Sequence, residues 1–223
     1  MLKKLITLFF CIFIFAFSGE KIVYLTFDDV PNKNTPKLLE ILKKENIKAT
    51  FFPVGNYIRN ENDRNIIKDI QTEGHAIGLH SMSHDRKKIY DRNNPSGLVK
   101  ELIQEQELLQ TITGDKAVIF RPPFGSFKNI TKVQADDLAK AGFKVWDWNA
   151  GSGDWMYKTV PEIMKTLKQM GTGPKMVVLL HTRDITVQAL PEIITYYRNK
   201  GYEFRAWSPE EHFMLNSLKD PRI

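Results

Sequence analysis

Apolar runs that read as strands alternate with helix-forming segments from Ile22 to Trp207, and this alternation constrains the fold more than any other feature. Strands are expected near 22–27, 49–54, 76–79, 117–121, 144–148, 176–180 and 203–207. Helices are expected near 36–45, 63–73, 96–112, 131–141, 161–170 and 187–200. Thr35-Pro36 starts a helix with a capping hydroxyl and a proline at the first position. Thr159 and Glu162 have capping-box spacing. Gly74, Gly142 and Gly201 fall just past helix ends, where a left-handed residue is wanted. Strand–helix alternation of this kind gives an α/β domain with a parallel sheet and right-handed crossovers. It leaves open whether the sheet closes on itself. No linker, low-complexity tract or repeat divides the chain, and 223 residues suit one domain.

Residues 1–18 read differently. Lys3 and Lys4 precede a run, Leu5 to Phe17, that is apolar apart from Thr7, and Ala16 and Ser18 supply small residues for cleavage after Ser18. This is a signal-peptide pattern, so the folded domain is expected over 19–223 and the protein is expected outside the cytoplasm: extracellular, at the cell surface or periplasmic. The apolar run is short of the roughly 20 residues that span a bilayer, so no stable span is expected after cleavage; a retained anchor is the alternative. Bulky Phe9 and Phe10 before Cys11 speak against a lipoprotein. Cys11 is the only cysteine, so the mature chain has no disulfide. Without Lys3 and Lys4, 30 basic residues face 26 acidic ones. That mild excess suits an anionic envelope polymer but is also common on surfaces with no charged partner. No basic run interleaves with aromatics, so a nucleic-acid partner is not expected.

The chemistry concentrates at the ends of the expected strands. Asp28 and Asp29 close the run Lys21–Phe27, and His80 and His84 follow the run His75–Leu79. Two imidazoles and one carboxylate make the three protein ligands of a catalytic zinc site that keeps a position open for water. The other aspartate is then free to act as a base. Adjacent residues at a strand end point to opposite sides, which gives the pair two roles. A helical Ser81-Met-Ser would place both imidazoles on one side. Arg121 stands at a strand end before two prolines, where a guanidinium can hold a carboxylate ionised. His181 ends the run Met176–Leu180 and suits a general acid, with Asp154 to hold its ring. His75 reads as structural, His212 as exposed, and Asp147 has no assignment.

Taken in order, the segments TFDD, HSMSH, RPPFG, DW and VLLH resemble the polysaccharide deacetylase domain, family four of the carbohydrate esterases. The resemblance runs from about Lys21 to Trp207. It implies a distorted barrel of about seven parallel strands with the active face at their C-terminal ends. It also implies Asp29, His80 and His84 as ligands of a divalent metal, zinc foremost, with cobalt and nickel able to bind the same donors. Asp28 is implied as general base, Arg121 as its orienting partner, and the Phe124 backbone N–H as an oxyanion donor. Trp155, Leu180 and Pro123 are implied around an acetyl-sized pocket. Three positions depart from the pattern: Val30 replaces a usual glycine, Phe124 a frequent tyrosine, and Gly151 a frequent aspartate. A β-branched residue disfavours positive φ, so a differently shaped loop is expected beside the base.

The expected activity is hydrolysis of N-acetyl groups on an N-acetylglucosamine-containing polysaccharide, peptidoglycan first, with chitin oligomers and exopolysaccharide as alternatives. A small-molecule amidase would need a closed pocket. A carbohydrate-binding protein with dead chemistry would be expected to lack a ligand, base or acid, and none is missing.

Overall fold

A computed structural model describes residues 20–223; the expected signal segment lies outside them. The chain runs β1 (Ile22–Val30), α1 (Thr35–Lys44), β2 (Thr50–Pro53), α2 (Glu61–Thr72), β3 (Ala76–Ile77), α3 (Arg86–Ile89), α4 (Gly97–Thr113) and β4 (Ile119–Phe120). It continues α5 (Lys132–Ala141), β5 (Lys144–Val145), β6 (Ala150–Gly151), α6 (Val160–Gln169), β7 (Lys175–His181), α7 (Asp184–Asn199) and β8 (Glu203–Phe204). Each expected helix is present within a few residues of its expected bounds. The cap of α1 is Asn34, one residue before the expected Thr35. Glu162 accepts from the Thr159 backbone N–H at 3.1 Å, as the capping box requires. Gly142 ends α5 at φ 78. Among the described residues no helix is long and apolar enough to cross a membrane.

All strand pairs are parallel, and the order β3-β2-β1-β7-β6 forms the main sheet. Two links close it. Leu79, just past β3, bridges to Phe120 of β4, which pairs with β5. The single stretch 144–151 then pairs with β4 at its start and with β7 at its end, where the Asn149 N–H reaches the Val177 carbonyl at 3.2 Å. Of the strand expected at 144–148 only Lys144–Val145 forms; the chain then bends and a second short strand follows at Ala150–Gly151, and the distorted barrel closes through that bend. β8 pairs only with Ile22 and Val23, ahead of the point where β2 joins β1.

Strand alternation sorts the core. Val23, Leu25 and Phe27 of β1, with Val178 and Leu180 of β7, pack in the large apolar cluster beneath the helices. Ile22, Tyr24 and Val177 face the barrel interior with Phe52 and Trp146. Asp28 shares the interior parity of Tyr24 and Thr26, so it is carried to the mouth of the barrel rather than to the helix side.

Candidate active site

The mouth holds a cleft of about 440 Å³ lined by Asp28, Asp29, His80, His84, Pro122, Phe124, Trp148, Trp155, Leu179 and His181. Asp28 and His181 are register partners on the neighbouring strands β1 and β7, so the sheet itself sets their spacing.

Simple alternation would turn Asp29 away from this mouth. It does not, because Asp29 takes a left-handed backbone (φ 63) where the β1–β2 register slips. Positive φ thus falls on the aspartate itself, and Val30 remains in the strand. Asp29 Oδ1 lies 3.8 Å from His80 Nε2 and 3.7 Å from His84 Nε2. One donor atom from each of the three residues falls within 4.8 Å of the others. Asp29 Oδ1 is buried and has no hydrogen-bond partner, an arrangement that is costly unless a cation completes it. His80 is buried, and desolvation lowers its pKa to about 3, so its imidazole is neutral and ready to coordinate. The Arg121 carbonyl accepts from His80 Nδ1 at 2.7 Å, which fixes the tautomer and leaves Nε2 facing Asp29. These residues fit a divalent metal.

The histidines are not on a helix. Residues 80–84 form an irregular loop, with Ser81 at φ 72 and His84 at φ 54. The rings nonetheless face each other, with centroids 5.0 Å apart.

Arg121 is fully buried inside the barrel. Its Nη1 donates to Asp28 Oδ1 at 3.1 Å, Nε to the Trp146 carbonyl at 3.1 Å and Nη2 to the Asp147 carbonyl at 3.1 Å. Burial pushes the Asp28 carboxyl above the ordinary range, and Arg121 opposes that rise. Asp147 accepts from the Ser126 backbone and hydroxyl, so it anchors the segment after Arg121.

On the other side, Asp154 Oδ1 accepts from His181 Nδ1 at 2.8 Å, and Asp154 Oδ2 accepts from the His181 backbone at 2.7 Å. Thr186 also donates to Asp154 Oδ2. Asp154 is thus held by Thr186 and the His181 backbone, with Gly151 contributing no side chain. Burial lowers the His181 pKa, but the Asp154 carboxylate outweighs it, and the net direction is up.

Two pocket expectations change. Leu180 is buried under the helices and Leu179 lines the cleft instead, because only residues of the same parity as His181 face inward. Pro122, rather than Pro123, lines the cleft; Pro123 uses its carbonyl to accept from Tyr90 at 2.8 Å. Trp155 lines it as expected, 56% exposed. Trp148 lines it too and was not singled out in the sequence. His75 is structural, accepting from the Ala49 N–H at 3.0 Å. His212 is half-buried and accepts from Trp207 Nε1 at 3.1 Å, so it is not free in solvent.

Comparison with known proteins identifies the family. The family model described as polysaccharide deacetylase matches residues 17–146. A peptidoglycan-N-acetylglucosamine deacetylase of Bacillus cereus is 37% identical over 218 residues, which is 93% of this chain and 77% of that protein. The crystal structure of a Bacillus cereus polysaccharide deacetylase superposes with a TM-score of 0.86 at 36% identity, covering 92% of this chain and 100% of that one. A Streptococcus mutans esterase of the same carbohydrate esterase family gives 0.78 at 33% identity, covering 85% and 87%. With a family match over more than half its length and a relative this close, the chain belongs to the polysaccharide deacetylase family, carbohydrate esterase family four.

Proposed function

We propose that the chain hydrolyses N-acetyl groups on N-acetylglucosamine units of peptidoglycan, outside the cytoplasm, with a divalent metal held by Asp29, His80 and His84. Zinc is the metal that this donor set suits first. The observation that carries the reading is that one cleft is lined by the donor triad, by Asp28 with buried Arg121 behind it, and by His181 with buried Asp154 behind it. Export rests on Lys3, Lys4 and the apolar run to Phe17.

A divalent metal held by Asp29, His80 and His84 would supply Lewis acidity to the acetyl carbonyl and to the attacking water. Asp28 takes the proton of the attacking water, and Arg121 fixes the orientation of its carboxylate. The Phe124 N–H is the oxyanion donor. His181 gives its Nε2 proton to the leaving nitrogen, since Nδ1 is committed to Asp154. The carbon–nitrogen bond breaks, and acetate and a free amine remain. Leu179, Trp148 and Trp155 bound the space left for the acetyl methyl.

The rim supports a polymer over a small amide. Phe124 is 52% exposed, and a second cleft of about 340 Å³ shares Phe124 and Trp148 with the first and extends to Phe127, itself 69% exposed. Phe127→Ala is expected to raise KM several-fold on a long glycan and to leave kcat unchanged. Comparing chitohexaose with chitobiose checks it; equal effects on both would remove Phe127 from glycan contact.

A pH profile tests the acid. Asp154→Asn removes the charge that raises the His181 pKa. The acid must be protonated to act, so activity falls as pH rises through that pKa. The alkaline limb of kcat/KM should therefore move to lower pH in the variant. An unmoved limb would assign the acid elsewhere. The function itself is tested by acetate release from peptidoglycan, chitohexaose and N-acetylmuramyl substrates side by side. Release from peptidoglycan is expected to dominate.

A further inference from the structure

We infer that Glu105, with Glu101 one turn earlier on α4, is the positioning device that sets the metal affinity of the His80–His84 loop. The inference rests on the metal reading above. The loop has no helix or strand to satisfy its backbone donors, and two of its residues carry left-handed conformations that non-glycine residues enter at a cost. Side chains supply what is missing. Both oxygens of Glu105 accept from the His80 N–H at 3.0 Å. Glu101 Oε2 accepts from the Ser83 N–H at 2.7 Å. The Ser81 hydroxyl accepts from the His84 N–H at 2.9 Å. On the opposite side, the Ser81 and Met82 carbonyls accept from Gly55 and Asn56 at 3.2 and 2.8 Å.

Glu105 is fully buried in the stripe Leu98, Leu102, Glu105, Leu109, Ile112 that packs α4 into the core. A carboxylate there is costly unless hydrogen-bonded. Its bonds go to the backbone N–H of a proposed ligand, His80. Two acids at i and i+4 thereby hold both ends of a strained loop against one rigid helix. The donors His80 and His84 then need little rearrangement to meet Asp29, and preorganisation of that kind is what raises affinity.

Glutamine at 105 leaves one neutral acceptor where two carboxylate oxygens now share the His80 N–H, and sets an NH₂ group beside it. Glu105→Gln is expected to bind Zn²⁺ about 10–100-fold more weakly than wild type, the usual cost of an outer partner. The readout is competition with a chromophoric chelator on protein shown to be folded by circular dichroism. Leu109→Ala, one turn along the same buried stripe, destabilises α4 without touching the loop, and its Zn²⁺ affinity should stay within about twofold of wild type. Equal losses in the two variants, or a Glu105→Gln affinity near wild type, overturn the inference. If Glu105→Gln does not fold, Glu101→Ala decides it: several-fold weaker Zn²⁺ binding is expected, and unchanged binding overturns the clamp. No glycan is needed, so a wrong substrate leaves the result readable. Wild-type protein that takes up no Zn²⁺ would overturn the metal reading and the clamp together.

Discussion

His80→Ala and His84→Ala proteins are each expected to purify without metal and without activity. The triad offers one donor atom per residue, and among the described residues no other group of His, Cys, Asp and Glu side chains stands close enough to substitute. Removing a direct ligand should cost more than the ~10–100-fold that an outer partner costs, because two donors remain where three are needed. The two variants should differ in one respect. His80 is buried against Arg121 and carries the Nδ1 bond to its carbonyl, so His80→Ala should also lose thermal stability relative to metal-free wild type. His84 is partly exposed and should lose metal with little further change in Tm. Metal analysis after gel filtration is the check. Near-stoichiometric metal at wild-type affinity in either variant would remove that histidine from the site.

Asp28→Asn is expected to keep the metal and lose about 10²- to 10⁴-fold in kcat, the usual cost of a general base. The amide is nearly isosteric but takes no proton. The fold should survive because Arg121 keeps Thr26, the Trp146 carbonyl and the Asp147 carbonyl as acceptors. Retained metal is expected because Asp29 Oδ1 lies near both imidazoles. The nearest Asp28 oxygen is 3.7 Å from His80 Nε2, so the experiment also separates the two aspartates. Loss of metal in Asp28→Asn would exchange their roles. Activity within a few-fold of wild type, with deamidation excluded, would place the base elsewhere.

Much of this architecture is legible in the residues because local signals and tertiary demands agree. Helices α2 and α5 carry their own caps and glycine stops, and β1 and β7 are apolar on both faces because each is covered on both. The short strands are less legible. β3, β4 and β6 are two residues each, and the bend that divides 144–151 follows from barrel closure, which no local pattern encodes. The aspartate pair illustrates a second limit. Alternation predicts divergent side chains, and only the left-handed backbone of Asp29 brings them together.

The cleft lining shows that some of the remainder was recoverable. Placing His181 at the mouth already implies Leu179 there and Leu180 in the core by strand parity, a step that motif order alone does not supply. Glu105 was visible in a similar way, as an acid centred in an apolar helical stripe, but its partner is backbone and so leaves no pairing residue to find. Trp148 reaches the cleft from the bend after β5, where no periodicity applies.

Metal-dependent deacetylation is tested by following acetate and free amine together when the protein meets purified peptidoglycan, before chelation, after it, and after zinc is restored. Equal amounts of acetate and new amine are expected, with loss of both on chelation and recovery with zinc. Acetate release that survives complete metal removal, or acetate without matching amine, would contradict it.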